Sequence, residues 1–160
     1  MKVLFDTNML VSAMIEAHSH YGISFPWVQK VRNGEISGYV STHSLAELYS
    51  VLTRLPLPKP LSAEQAYHGI TNNLKEFNTI NLDPVPPLKR GVRGDRNDYL
   101  KVLEHISQLH ITGGGIYDAL IAQAALKAKV DILLTFNPKH FTRLGEEIAR
   151  LVQDPSSPRF

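Results

Sequence analysis

Asp6, Glu47, Asp118 and Asn137 are the residues of this 160-residue chain whose types and settings suggest chemistry. Asp6 closes the apolar run Lys2-Val3-Leu4-Phe5-Asp6-Thr7-Asn8, and Glu47 lies inside a helical pattern. Asp118 opens another such pattern, and Asn137 follows Ile132-Leu133-Leu134-Thr135. An open α/β sheet binds ligands in the crevice beyond the carboxyl ends of its strands, so carboxylates gathered there from distant segments suit a hard cation. Two or three of them hold one or two divalent ions that orient water and neutralise a phosphoryl oxygen, with no protein nucleophile needed. Magnesium or manganese chemistry on a phosphate is therefore the leading reading. Each residue alone has a plainer explanation. Asp118 in a first helical turn compensates the helix dipole, and the free amides there keep a carboxylate ionised. A single helical Glu is usually just solvated, but Glu47 is the only acidic residue between Glu35 and Glu64.

Residues 2–6 read as a short buried parallel strand feeding a helix with Met9, Leu10, Ala13 and Met14 on one face. A second helix over 25–32 stops at Asn33-Gly34, and 38–41 is a strand. Ser41 or Thr42 caps the next helix, whose apolar stripe is Leu45, Leu48, Tyr49, Leu52 and Leu55. The prolines at 56, 58 and 60 end it, and Ser62-Ala63-Glu64-Gln65 restarts a helix as a capping box. Residues 78–83 form a strand, 84–93 a loop, and 95–109 a helix with Leu100, Leu103 and Ile106 inward. Gly113-Gly114-Gly115 precedes an alanine-rich helix over 117–128, residues 130–135 form a strand, and 148–152 read as a last strand or a helix tail. Strands alternating with helices imply right-handed crossovers and a parallel sheet covered on both faces.

The length suits one domain, expected over 1–155, with a loose tail at 156–160. At 43% apolar and 20% charged residues the composition is that of a folded globular protein. With no Cys, thiolate metal sites, thiol nucleophiles and disulfides are excluded. The three apolar residues before Asp6 are too few for a signal-peptide core, and no run approaches a membrane span, so a cytoplasmic protein with no membrane partner is expected. The net charge of +2 is mildly basic, but Lys89, Arg90, Arg93, Arg96 and Lys101 crowd one segment. That segment is either a solvated loop and helix start or a contact for a nucleic-acid phosphate backbone.

Phe5-Asp6-Thr7-Asn8, Leu45-Ala46-Glu47-Leu48, Tyr117-Asp118-Ala119-Leu120-Ile121-Ala122 and Leu134-Thr135-Phe136-Asn137-Pro138-Lys139-His140-Phe141 together resemble the PIN-domain ribonucleases, in particular VapC-type toxins. The resemblance implies a three-layer α/β/α fold with a central parallel sheet of order 3-2-1-4-5. It also implies Mg²⁺- or Mn²⁺-dependent endonuclease activity on RNA, a homodimer and a cognate antitoxin. It makes Asp6, Glu47 and Asp118 metal ligands or positioners of the attacking water, supported through hydrogen bonds by Thr7, Asn8 and Thr135. The chain departs from the fullest pattern where Asn137 and His140 stand in places often held by Asp. An amide oxygen ligates more weakly than a carboxylate, so one well-held ion and a weaker second are expected. Asp131, at the amino end of its strand, is excluded.

His18-Ser19-His20 reads as two surface histidines in a loop. The glycine triplet lacks a P-loop's Lys-Ser/Thr ending and serves as a turn that places Asp118. Trp27 and Phe25 read as packing residues. Two rivals stand beside the nuclease. A haloacid-dehalogenase-like phosphatase shares an Asp at the end of its first strand but expects an acid where Asn8 stands. A catalytically weakened fold kept as an RNA- or partner-binding module would fit Asn137 and His140.

Overall fold

The computed structural model describes residues 1–57, 59–82 and 97–157. In chain order the elements are β1 (Lys2–Phe5), α1 (Thr7–Met14), α2 (Tyr21–Arg32), β2 (Ser37–Ser41), α3 (Thr42–Leu52), α4 (Ala63–Leu74) and β3 (Asn78–Ile80). They continue as α5 (Asn97–Gln108), α6 (Gly115–Ala128), β4 (Ile132–Leu134), α7 (Pro138–Thr142), α8 (Glu146–Leu151) and β5 (Val152–Gln153). The five strands form one sheet in the order β3-β2-β1-β4-β5, and each neighbouring pair is parallel. The register sets Phe5 beside Leu134, so β1 and β4 end together and deliver Asp6 and Thr135 to the same edge.

The period-2 pleat sends successive side chains to opposite faces and so divides the interior into two cores. Val3, Phe5, Ile132 and Leu134 face α1 to α4, while Leu4 and Leu133 face α5 to α8. Because both faces are covered, the central strands read as unbroken apolar runs instead of alternating ones. Phe5 meets Phe77 edge to face at 5.1 Å between ring centroids. Gly38 on β2 lets α2 lie close to the sheet, since a Cβ there would come within 2.7 Å of Val31 and 2.9 Å of Phe77.

Local signals place most helix ends. Ser41 caps α3 by accepting the Ser44 amide at 3.0 Å. Ser62 and Gln65 close the reciprocal capping box on α4. α2 starts at Tyr21, earlier than expected, and runs through Pro26. The stretch expected as either strand or helix tail divides into α8 followed by β5.

Two apolar faces differ from the sequence expectation. In α5 the inward residues are Val102 and Ile106, at 4% and 8% exposure, while Leu100 and Leu103 stand 56% and 47% exposed. The face packed on α6 is the Tyr99, Val102 and Ile106 stripe, spaced i, i+3, i+7. In α3, Leu48 and Leu52 are buried but Tyr49 lies outward. The basic residues Lys89, Arg90, Arg93 and Arg96, and Asp83 with them, lie outside the described residues.

Candidate active site

Asp6 does two jobs at the end of β1. Its extended backbone (φ −68°, ψ 156°) makes it the N-cap of α1, so the strand turns directly into the helix, and its Oδ1 accepts the Thr7 amide at 2.7 Å. Its Oδ2 accepts the hydroxyl of Thr135, also at 2.7 Å. Thr135 is fully buried and serves as a hub. Its Oγ1 accepts Asn8 Nδ2 at 3.2 Å and the Asn137 amide at 3.0 Å. The Asn8 side-chain oxygen in turn accepts the Phe136 amide at 3.3 Å. One bonded network thus joins the ends of β1 and β4 around a carboxylate only 6% exposed.

Glu47 and Asp118 arrive from α3 and α6. Glu47 Oε2 accepts the Thr7 hydroxyl at 2.6 Å, so the residue beside Asp6 also fixes the second acid. Asp118, in the first turn of α6, faces Arg143 at 3.4 Å and His140 at 3.5 Å, both on Oδ2. Arg143 is itself held by its Nε, which donates to the His140 carbonyl at 3.1 Å. All three acids line one cleft of about 840 Å³, together with Thr7, Asn8, Asn137, His140 and Arg143.

The electrostatics are those of negative charges crowded in a poorly solvated place. Burial, foremost, pushes the Asp6 carboxyl up to about 7; the negative charges of Asp118 and Glu47 add to the rise, while the Thr135 and Thr7 hydrogen bonds oppose it. Asp118 is likewise raised, chiefly by burial, with Glu47 adding and the neighbouring His140 and Arg143 opposing. The dipole argument from sequence therefore points the wrong way for Asp118: desolvation outweighs the helix end.

Asn137 lines the cleft, and its hydrogen bond to Thr135 comes from its backbone amide, not from the amide side chain proposed as a weak ligand. Asp131 sits at the opposite end of β4, where its Oδ2 accepts the Lys2 amide at 2.7 Å. Sequence reasoning missed Arg143 and placed His18 and His20 on open surface; all three line the cleft, as does His140, which the family pattern had singled out. The loop histidines expected on open surface lie on the cleft wall, and nothing in their spacing signals that the α1–α2 connection reaches Phe136. Arg143 was findable in principle, as the C-cap of the short helix α7 that follows the Thr135-Asn137 segment.

Gly115 explains part of the glycine triplet. A Cβ there would stand 2.3 Å from Ile111 Cγ2 and 3.0 Å from the Arg143 guanidinium, so only glycine lets α6 begin where Asp118 enters the cleft. Gly115→Ala is expected to lower stability by about 1–3 kcal/mol in urea denaturation, because the first turn of α6 must move. An unchanged midpoint would show that Ile111 yields freely.

The donor set fits a hard cation bound partly through water. Every candidate ligand is an oxygen, and positive charge would favour the ionised form of Asp6 and Asp118, which burial, foremost, and neighbouring negative charge disfavour. Among the described residues no three His, Asp or Glu side chains are grouped as a ready-made metal site. Magnesium, which keeps several waters and takes one or two carboxylates, does not require one.

This combination of a parallel sheet ordered 3-2-1-4-5 and acids at the ends of its central strands has a family counterpart. The PIN domain profile matches residues 2–139, and the chain belongs to that family. Among curated proteins it is similar to Ribonuclease VapC27 of Mycobacterium tuberculosis, with 29% identity over 131 residues covering 79% of each chain. It is also similar to Ribonuclease VapC40 of the same organism, with 28% identity over 128 residues covering 80% of this chain and 81% of that one. Among solved structures the fold matches VapBC2 from Rickettsia felis bound to a DNA fragment from their promoter (TM-score 0.63, 19% identity, covering 96% of this chain and 98% of that one). It also matches PAE2754 from Pyrobaculum aerophilum (TM-score 0.60, 14% identity, covering 98% and 90%). The phosphatase reading falls with this assignment, and Asn8 has its own task in holding Thr135 and Phe136.

Proposed function

We propose that the chain is a Mg²⁺- or Mn²⁺-dependent endoribonuclease, the toxin of a toxin–antitoxin pair. We further propose that it works in the cytoplasm as a homodimer and is held in check by a cognate antitoxin. The observation that carries the reading is the convergence of Asp6, Glu47 and Asp118 on one cleft, where burial, foremost, and neighbouring negative charge raise the proton affinity of Asp6 and Asp118. Similarity to proteins named VapC ribonucleases and to a VapBC assembly supports the RNA substrate and the antitoxin. No helix among the described residues is long and apolar enough to cross a membrane.

Asp6, Glu47 and Asp118 would hold the ion. A bound divalent cation supplies Lewis-acid polarisation of a phosphoryl oxygen and a more acidic water. The chain's own groups do the positioning. Thr135 and the Thr7 amide fix both oxygens of Asp6, and the Thr7 hydroxyl holds one oxygen of Glu47. Glu47 Oε1 accepts no hydrogen bond among the described residues and is the acceptor at hand for a proton from the attacking water. Arg143 brings positive charge to the Asp118 side of the cleft, where the phosphodiester's negative charge has to be met, and His140 stands beside it as a hydrogen-bonding group. In hydrolysis the water oxygen bonds to phosphorus, one bridging P–O bond breaks, the water gives up a proton and the departing oxygen takes one.

The test is cleavage of a mixed cellular RNA pool with Mn²⁺, beside Asp118→Asn and Glu47→Gln and in EDTA. Each substitution is expected to slow cleavage by about 10²-fold or more, and EDTA to abolish it. Cleavage at the parent rate in both variants rules out the site, and RNA binding without cleavage by the parent replaces the enzyme with a binding module.

A further inference from the structure

The wall of the cleft carries three rings that the proposed chemistry does not use. The His20 imidazole stacks on Phe136 with centroids 4.2 Å apart and planes inclined by 29°, and His18 stands beside it at 5.6 Å. All three line the cleft that holds the acids. We infer that the His20–Phe136 stack is a subsite for an unpaired nucleobase of the RNA, next to the phosphodiester held at the carboxylates. This inference rests on the ribonuclease reading.

Placement argues for it. The Phe136 amide donates to Asn8 Oδ1, Asn8 Nδ2 donates to Thr135 Oγ1, and the Thr135 hydroxyl donates to Asp6 Oδ2. The platform is thus tied to the buried acid through three hydrogen bonds and two rigid strand ends, which gives a stacked base a fixed register relative to the carboxylates. The other partner is pinned from its own loop, where the His20 amide donates to His18 Nδ1 at 3.1 Å. The His20 ring is exposed, lines the cleft and makes no hydrogen bond among the described residues, so its atoms are open to a stacking partner. Phe136, by contrast, is half-buried and packs on the core beneath. Single-stranded nucleic acids bind through such faces because every base can stack on them.

His20 is the residue to change, since it makes no side-chain cap bond at the start of α2 and its loss leaves the core intact. The probe is a ten-nucleotide single-stranded oligoadenylate and an abasic oligoribonucleotide of equal length, titrated by fluorescence anisotropy into Asp118→Asn protein with and without His20→Ala or His20→Trp. His20→Ala is expected to weaken oligoadenylate binding about tenfold or more, with an unchanged melting midpoint. His20→Trp is expected to restore it, and the abasic strand to bind weakly whatever stands at position 20. Equal oligoadenylate affinity with and without His20→Ala overturns the subsite and leaves the ribonuclease reading standing. Weakening that Trp does not reverse and that the abasic strand shares assigns His20 a charge contact and also overturns it. Failure of the parent to bind any oligonucleotide removes both the subsite and the function beneath it.

Discussion

Asp6→Asn is expected to abolish RNA cleavage, by about 10³-fold or more, and at the same time to make the metal-free protein more stable above neutral pH. The two effects share one cause. The Asp6 carboxyl has a pKa of about 7 in the fold against 3.8 for an unperturbed Asp, because the charged form loses water and faces Glu47 and Asp118. Between those two values the folded chain binds more protons than the unfolded one, so this group makes stability fall as pH rises from about 4 to about 7. Above that window the whole penalty is in force. Three units correspond to about 4 kcal/mol, and an amide that cannot accept from both Thr7 and Thr135 returns part of that gain. A net stabilisation of about 1–3 kcal/mol at pH 8, gone at pH 4, is therefore expected from urea denaturation in EDTA. A variant no more stable than the parent at pH 8 would show that Asp6 is not held against its own charge.

Thr135→Val carries the second large effect. The valine is isosteric but gives Asp6 Oδ2 no hydrogen bond and gives Asn8 and the Asn137 amide no acceptor, all at a fully buried position. The expected cost is about 2–4 kcal/mol of stability, because buried groups are left unpaired. Cleavage is expected to fall about 10²-fold through loss of support for the presumptive ligand. The Thr135 hydrogen bond lowers the Asp6 pKa, so its removal raises that value further. The acidic limb of the pH–rate profile should move to higher pH in the valine variant and stay in place in Thr135→Ser. A valine variant as active and as stable as the parent would show that the hub is dispensable.

Much of this arrangement was legible in the chain. The apolar runs at 3–5 and 132–134 are buried on both faces, so their ends, and with them Asp6 and Thr135, stand out without any structure. The capping box at Ser62 and Gln65 is a local signal, and local signals survive folding. What the chain hid was set by neighbours. Leu100 and Leu103 make an apolar stripe as plausible as that of Tyr99, Val102 and Ile106, and only the surface of α6 decides between them. Tyr49 is outward for the same reason. His20 meets Phe136 through the path of a loop, which no periodicity encodes. The raised proton affinity of Asp118 was hidden too, because its position at a helix start predicts the opposite, and burial, foremost, with the charge of Glu47 sets the direction.

Manganese binding to the metal-free protein at pH 7.5, read from the electron paramagnetic resonance signal of free Mn²⁺, tests the centre of this account most directly. Saturable binding is expected in the parent, weakened about tenfold or more in Asp6→Asn, Glu47→Gln and Asp118→Asn alike, and unaffected by Asp131→Asn at the far end of β4. Equal affinity in the parent and the three cleft variants would contradict it.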